Sequence, residues 1–158
     1  MAVRSIPPLA AWAIALALSS VCATGAAASP ADCATTIGST DTMRFTVSSI
    51  EIPRTCKTYT ITLRHEGKLP VTAMGHSVVV AAAADMAGVL ADGVAAGAAN
   101  AYVRPGDPRV VAHTALVGGG GSTSVGVPVP RLAEGGPWVF FCSFPGHSAL
   151  MKGTVTVR

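Results

Sequence analysis

Trp138-Val-Phe-Phe141-Cys142-Ser-Phe-Pro-Gly-His147-Ser-Ala-Leu-Met151-Lys-Gly-Thr154-Val-Thr-Val157 is the stretch that decides how this 158-residue chain folds. Trp138 to Phe141 is wholly apolar, as central core strands are. Thr154 to Val157 alternates with the period of two that marks a half-buried strand. One strand-to-strand loop lies between them and carries a thiol, an imidazole and a thioether within ten residues. Pro145 and Gly146 let that loop bend back on itself, so Cys142, His147 and Met151 can converge between the strand ends.

Working outward, Met43-Arg-Phe-Thr-Val47, Tyr59-Thr-Ile-Thr-Leu-Arg64 and Val125-Gly-Val-Pro-Val129 repeat the period of two, and Ser77-Val-Val-Val80 reads as another core strand. Turn chemistry separates them at Glu66 to Pro70, Arg104 to Pro108, Gly118 to Gly121 and Glu134 to Pro137. About seven or eight strands in one all-β domain predict a Greek-key sandwich or barrel. Ala81 to Ala101 breaks the pattern. It is alanine-rich, with Met86, Val89, Leu90 and Val94 at helical spacing, and predicts a short helical flap weakened by Gly88, Gly93 and Gly97.

Half the residues are hydrophobic and only 12% are charged, which excludes a disordered chain. The 11 Lys and Arg are scattered singly at a net charge of +3, so no basic stripe exists to neutralise a phosphate backbone. Nucleic acid is therefore excluded as a partner. Residues 1–28 combine Arg4, an apolar run from Leu9 to Leu18 and the small residues Ala26 to Ala28, the pattern of a secretory signal cleaved after Ala28. The run is shorter than the ~20 residues that cross a bilayer, and Val21 before Cys22 departs from the small residue that lipidation requires. Cleavage leaves an exported domain over 29–158, with no membrane span. Cys33, Cys56 and Cys142 remain. In an oxidising compartment two of the three should pair, and Cys33 and Cys56, 23 residues apart, read as strand-to-strand partners.

Cys142 is then the thiol that needs a purpose. Cys sulfur and His nitrogen with a weak, long Met ligand make the set that suits a blue-copper electron-transfer centre. A structural zinc site takes four strong ligands and a catalytic one keeps an open water position, so Met151 favours copper over zinc. A second imidazole must come from elsewhere. His76 sits directly ahead of the Val78 to Val80 strand, and Gly75 beside it lets a backbone carbonyl approach the metal. His65 and His113 read as hydrogen-bonded or surface histidines.

Cys142 to Thr154, Met74-Gly-His76, Ala83-Ala-Asp-Met86, Arg109-Val-Val-Ala-His-Thr114 and Ala31-Asp-Cys33 together resemble the azurins, small bacterial blue-copper cupredoxins. The resemblance spans essentially the whole mature chain. It implies a Greek-key β-sandwich with a helical flap, one copper ion, and periplasmic electron shuttling rather than enzymatic turnover. His76, Cys142 and His147 would be the equatorial ligands, Met151 the weak axial one and the Gly75 carbonyl the opposite axial contact; Cys33 and Cys56 match the family's disulfide. It also implies an apolar docking patch of Met43, Leu69, Ala73, Met74, Val94 and Leu150 around Phe144, Pro145, Gly146 and His147, the electron's exit. Small redox proteins such as c-type cytochromes or a copper reductase would dock there.

Three positions depart from the family. Ser77 stands where the family usually has an Asn that ties the ligand loops together and bonds the Cys sulfur, which predicts a less rigid site and a displaced potential. Phe144 is its neighbour in that surrounding shell. Val78 replaces a frequent buried Trp, and Glu66 a common Pro after His65. The alternative function is a copper-buffering protein that uses the same ligands without a dedicated redox partner. A multicopper oxidase or reductase would need further His-rich sites and a second domain.

Overall fold

A computed structural model describes Met1, Ser29 and residues 32–158. Residues 2–28 of the signal segment, with Cys22, lie outside the described residues, as do Pro30 and Ala31. The elements run β1 (Ala34–Thr40), β2 (Arg44–Phe45), β3 (Ser49–Ile52), β4 (Thr58–His65), α1 (Val71–Met74), β5 (Val79–Ala82), α2 (Met86–Ala96), β6 (Val110–His113), β7 (Ser122–Pro128), β8 (Trp138–Phe141) and β9 (Lys152–Val157). Two sheets form, ordered β2-β1-β4-β7 and β3-β9-β8-β5-β6. The chain crosses from one to the other five times, between β2 and β3, β3 and β4, β4 and β5, β6 and β7, and β7 and β8. Pairing is antiparallel except β1 with β4 and β3 with β9. No described helix is long and apolar enough to cross a membrane.

The expected all-β sandwich with an inserted flap is what forms, with nine strands among the described residues. The period-two segment at Met43 to Val47 contributes only β2, because Met43 turns the chain in the left-handed region at φ 56°. β1, β3 and β6 were not among the segments named from sequence, and the remaining differences are at strand ends.

Alternation explains β4. Tyr59, Ile61, Leu63 and His65 point inward, and the residues between them face outward or are half-buried. The apolar runs have a different cause. In β5 and β8, Val80 and Phe140 enter the core between the sheets, while Val79 and Phe141 pack in a second cluster with Val89 of α2. The flap covers that face, so both faces are dry. At roughly 25 cal/mol per Å2 of apolar area, each of these fully buried side chains contributes about 1.5–3 kcal/mol.

The flap's packing corrects one expectation. Val94 does not share the buried face of α2; it is 62% exposed, and Val89 and Gly93 are the buried positions. A Cβ at Gly93 would strike the Tyr102 carbonyl, so the close approach selects glycine there. Gly97, at φ 71°, ends the helix. Arg109 clamps the flap to the sheet, reaching Asp92 of α2 at 2.5 Å and the buried Asp107 at 2.6 Å. The Asp107 carboxyl is held well below the usual range, chiefly by the Arg109 hydrogen bonds.

Candidate metal centre

β1 and β4 run parallel, so the Cys33 and Cys56 ends of both strands lie together. The two sulfurs are bonded there, with Cα atoms 5.7 Å apart. Cys142 is the free cysteine among the described residues, and it is fully buried.

Three segments build the site at the other end of β4. The first follows α1, where His76 forms a two-way backbone bridge with Val117, its N–H donating at 3.0 Å and its carbonyl accepting at 2.9 Å. The second is the loop after β8. There the Cys142 N–H donates to the Met151 carbonyl at 3.0 Å and the Met151 N–H to the His147 carbonyl at 2.8 Å. Both ends of the Cys142–Met151 loop are thereby pinned, and Gly146, at φ 82°, makes its turn. The third is Thr40 at the end of β1, whose carbonyl accepts from His76 Nε2 at 2.9 Å.

That last bond fixes the chemistry of His76. With the proton on Nε2, the Nδ1 lone pair points inward, 3.2 Å from His147 Nδ1. His147 Nδ1 in turn lies 3.8 Å from Cys142 Sγ, and the three donor atoms all fall within 4.8 Å of one another. Two ring nitrogens this close repel unless a proton or a cation lies between them. Burial lowers His76 to about 4, lowers His147, and raises the Cys142 thiol. The imidazoles are thus neutral and ready to coordinate, and a cation need displace only the thiol proton. Two imidazoles and a buried thiol, with no water-facing side, fit a copper ion better than a catalytic metal that keeps an open position.

The thioether of Met151 is fully buried. The Gly75 carbonyl lies 4.0 Å from Cys142 Sγ. Glycine is needed there for close approach: a Cβ would come within 2.5 Å of the Val71 carbonyl and 3.1 Å of the Phe144 ring. Phe144 packs on His147 with ring centroids 4.5 Å apart. Of the expected patch, Leu69, Ala73, Pro145, Gly146 and Leu150 are exposed, while Met43, Met74 and Phe144 are half-buried. Val94 is exposed on α2. Val71, 40% exposed on α1, was not among the expected residues. His147 is only 4% exposed.

Two residues do more than the sequence reading gave them. His65 is hydrogen-bonded, as one of its two readings had it, and not at the surface: it is 2% exposed and stacked on His76 with centroids 4.5 Å apart. Its Nδ1 accepts from the Gly67 N–H at 3.0 Å and its Nε2 donates to the Met74 carbonyl at 3.0 Å. The signal was available, since His65 continues the inward series Tyr59, Ile61, Leu63. Ser143 is the other. It is buried, its N–H donates to Ser77 Oγ at 3.1 Å, and its own Oγ lies 2.7 Å from Ser77 Oγ. The ligand loops are therefore tied together despite the short Ser77 side chain. His113 lies at the exposed end of β6.

A two-sheet β-sandwich that closes one thiol and two imidazoles inside one end defines a small copper protein of the cupredoxin class. Residues 31–158 match the model for copper binding proteins of the plastocyanin/azurin family. The chain is 51% identical to azurin of Pseudomonas fluorescens biotype A over 128 residues, 81% of this chain and all of that one. It is 51% identical to azurin of Bordetella pertussis over 79% of this chain and 83% of that one. A solved azurin, Az-iso2 from Methylomonas sp. strain J, superposes with a TM-score of 0.77 at 43% identity, covering 80% of this chain and 98% of that one. The chain belongs to the plastocyanin/azurin family, and its cofactor is one copper ion.

Proposed function

We propose that the protein is a periplasmic shuttle for single electrons, with His76, Cys142 and His147 as the equatorial copper ligands, Met151 as the weak axial ligand and the Gly75 carbonyl opposite. Copper bound there supplies the Cu(I)/Cu(II) couple. The observation that carries the reading is the closure of the site: the donor-bearing residues are buried, and their backbones are pinned by hydrogen bonds before any ion arrives. Residues already in place need move little between oxidation states, so reorganisation is small and transfer is fast. Closure also leaves no place for a substrate, which supports a carrier rather than an enzyme.

His147 is the electron's exit. Its ring packs on Phe144, and the exposed Pro145, Gly146 and Leu150 sit on the same loop. A small apolar face of this kind suits brief docking by redox proteins such as c-type cytochromes or a copper reductase. We place the signal peptide at 1–28, cleaved after Ala28, and the mature domain at 29–158. Copper(II) added to the purified protein should produce an intense blue thiolate charge-transfer band, and the reduced protein should exchange electrons rapidly with a small c-type cytochrome. A colourless complex overturns the ligand assignment; a blue protein that exchanges slowly is a copper buffer instead.

A further inference from the structure

The Ser77 hydroxyl lies 3.9 Å from Cys142 Sγ, within reach of a bond to sulfur. Counting protons gives a different answer. Ser143 Oγ lies 2.5 Å from the Ala101 carbonyl, and a carbonyl has no proton to offer, so the one hydroxyl proton of Ser143 is spent there. The 2.7 Å contact between Ser77 Oγ and Ser143 Oγ then requires the proton of Ser77. Ser77 Oγ also accepts the Ser143 N–H at 3.1 Å. Ser77 has no second proton for the sulfur, and the contact at 2.7 Å outcompetes one at 3.9 Å.

The acceptor that terminates this chain of hydroxyls is built into the flap connection. Ala101 and Tyr102 are consecutive non-glycine residues in the left-handed region, at φ 53° and 52°. Ala101 is buried, and the Tyr102 ring stands edge-on to Phe144 with centroids 5.4 Å apart. The same connection therefore reaches the loop of Cys142 and His147 by a hydrogen bond and by an aromatic contact.

We propose that Ser143 is a positioning residue that turns the Ser77 hydroxyl away from Cys142 and onto its own Oγ, leaving the sulfur without a hydroxyl donor. This rests on the assignment of Cys142 as a copper ligand. It reverses the expectation that Ser77 tunes the site by bonding sulfur directly. Ser77 instead joins the His76 and Cys142 segments to the flap, and Ser143 decides whether a hydroxyl joins the backbone N–H groups of Ser77 and Phe144 as a donor to the sulfur.

The test is a double-mutant cycle on the copper-loaded protein. In Ser143→Ala the Ser77 hydroxyl loses its oxygen acceptor and turns to Cys142 Sγ. The extra donor should shift the charge-transfer band to higher energy and raise the reduction potential, because a hydrogen bond stabilises charge on sulfur. Ser77→Ala should leave the band energy unchanged, and adding it to Ser143→Ala should cancel the shift. Ser143→Thr, which keeps the hydroxyl, should match the parent. The proposal is overturned by a lower potential and lower-energy band in Ser77→Ala alone, or by a folded Ser143→Ala variant with an unshifted band. Amide hydrogen exchange on the metal-free protein gives an independent readout. Protection of the Ser143 N–H should persist in Ser143→Ala and fall in Ser77→Ala; the reverse overturns the proposal. Absence of any blue band in the parent would instead count against the copper ligand assignment, and the exchange data would still judge the hydroxyl chain.

Discussion

The two ends of β4 are held by opposite means. At its start, the Cys33–Cys56 bond joins the beginnings of β1 and β4 covalently. At its finish, about 23 Å away by strand rise, His65 stacks on His76 among buried imidazoles, hydroxyls and a thiol. The first end is complete once the chain is oxidised. The second satisfies its polar groups by hydrogen bonds and still presents convergent lone pairs that only a proton or a cation relieves. One end contributes stability that is always present, and the other contributes stability conditional on a ligand.

The largest test of this contrast is at the conditional end. Copper at about a thousand times its dissociation constant should stabilise the native state by about 4 kcal/mol. Cys142→Ser should lose the blue band and nearly all of that increment. Chemical unfolding with and without copper measures it, and an increment that survives in the serine variant would mean that the ion is held elsewhere. At the covalent end, replacing Cys33 and Cys56 together by Ser frees a loop closed over 23 residues and should cost about 3 kcal/mol. The blue band should not move, since the two ends are separated by the length of β4. A shifted band in that variant would show that the ends are coupled and remove the distinction.

The same contrast governs what could be read from sequence. Alternation and apolar runs reveal the sheets because burial repeats every two residues along β4 and becomes continuous where α2 covers β5 and β8. Cys142 and His147 were legible as neighbours because sulfur and imidazole donors crowd one loop. His76 was legible because glycine precedes it at the edge of an apolar strand. Ser143 was not, for its importance comes from a hydroxyl proton committed to a carbonyl 42 residues away. Val94 was misplaced for a similar reason: helical spacing cannot tell which side of α2 the Tyr102 carbonyl will occupy.

The flap lies against the site through Ala101 and Tyr102, so it offers a third, intermediate region. Gly93→Ala drives a Cβ into the Tyr102 carbonyl, a strain of about 1–3 kcal/mol. The ~1 kcal/mol of helix propensity gained by alanine offsets only part of it. A net loss of up to about 2 kcal/mol in thermal unfolding is expected, with a small movement of the blue band through Ala101. An unchanged band would confine the coupling to Ser143.

The smallest effect concerns the acid limit of the flap's clamp. Hydrogen bonds from Arg109 hold the Asp107 carboxyl below its usual range, with burial opposing them. Its folded pKa therefore lies under the unfolded value of about 3.9. Below about pH 4 the unfolded chain binds the proton and the folded one resists it, so the contribution of Asp107 is fully present above that pH and is lost as the pH falls further. Asp107→Asn should flatten this part of the stability profile, and the difference between the variant and the parent should shrink on acidification. Arg109 is 27% exposed, so water screens the pair and keeps the effect modest. Denaturant midpoints of the metal-free protein from pH 7 down to pH 3 measure it. Parallel curves for the two proteins would mean that Asp107 acts through packing alone, and that the flap, like the disulfide end, is insensitive to protons.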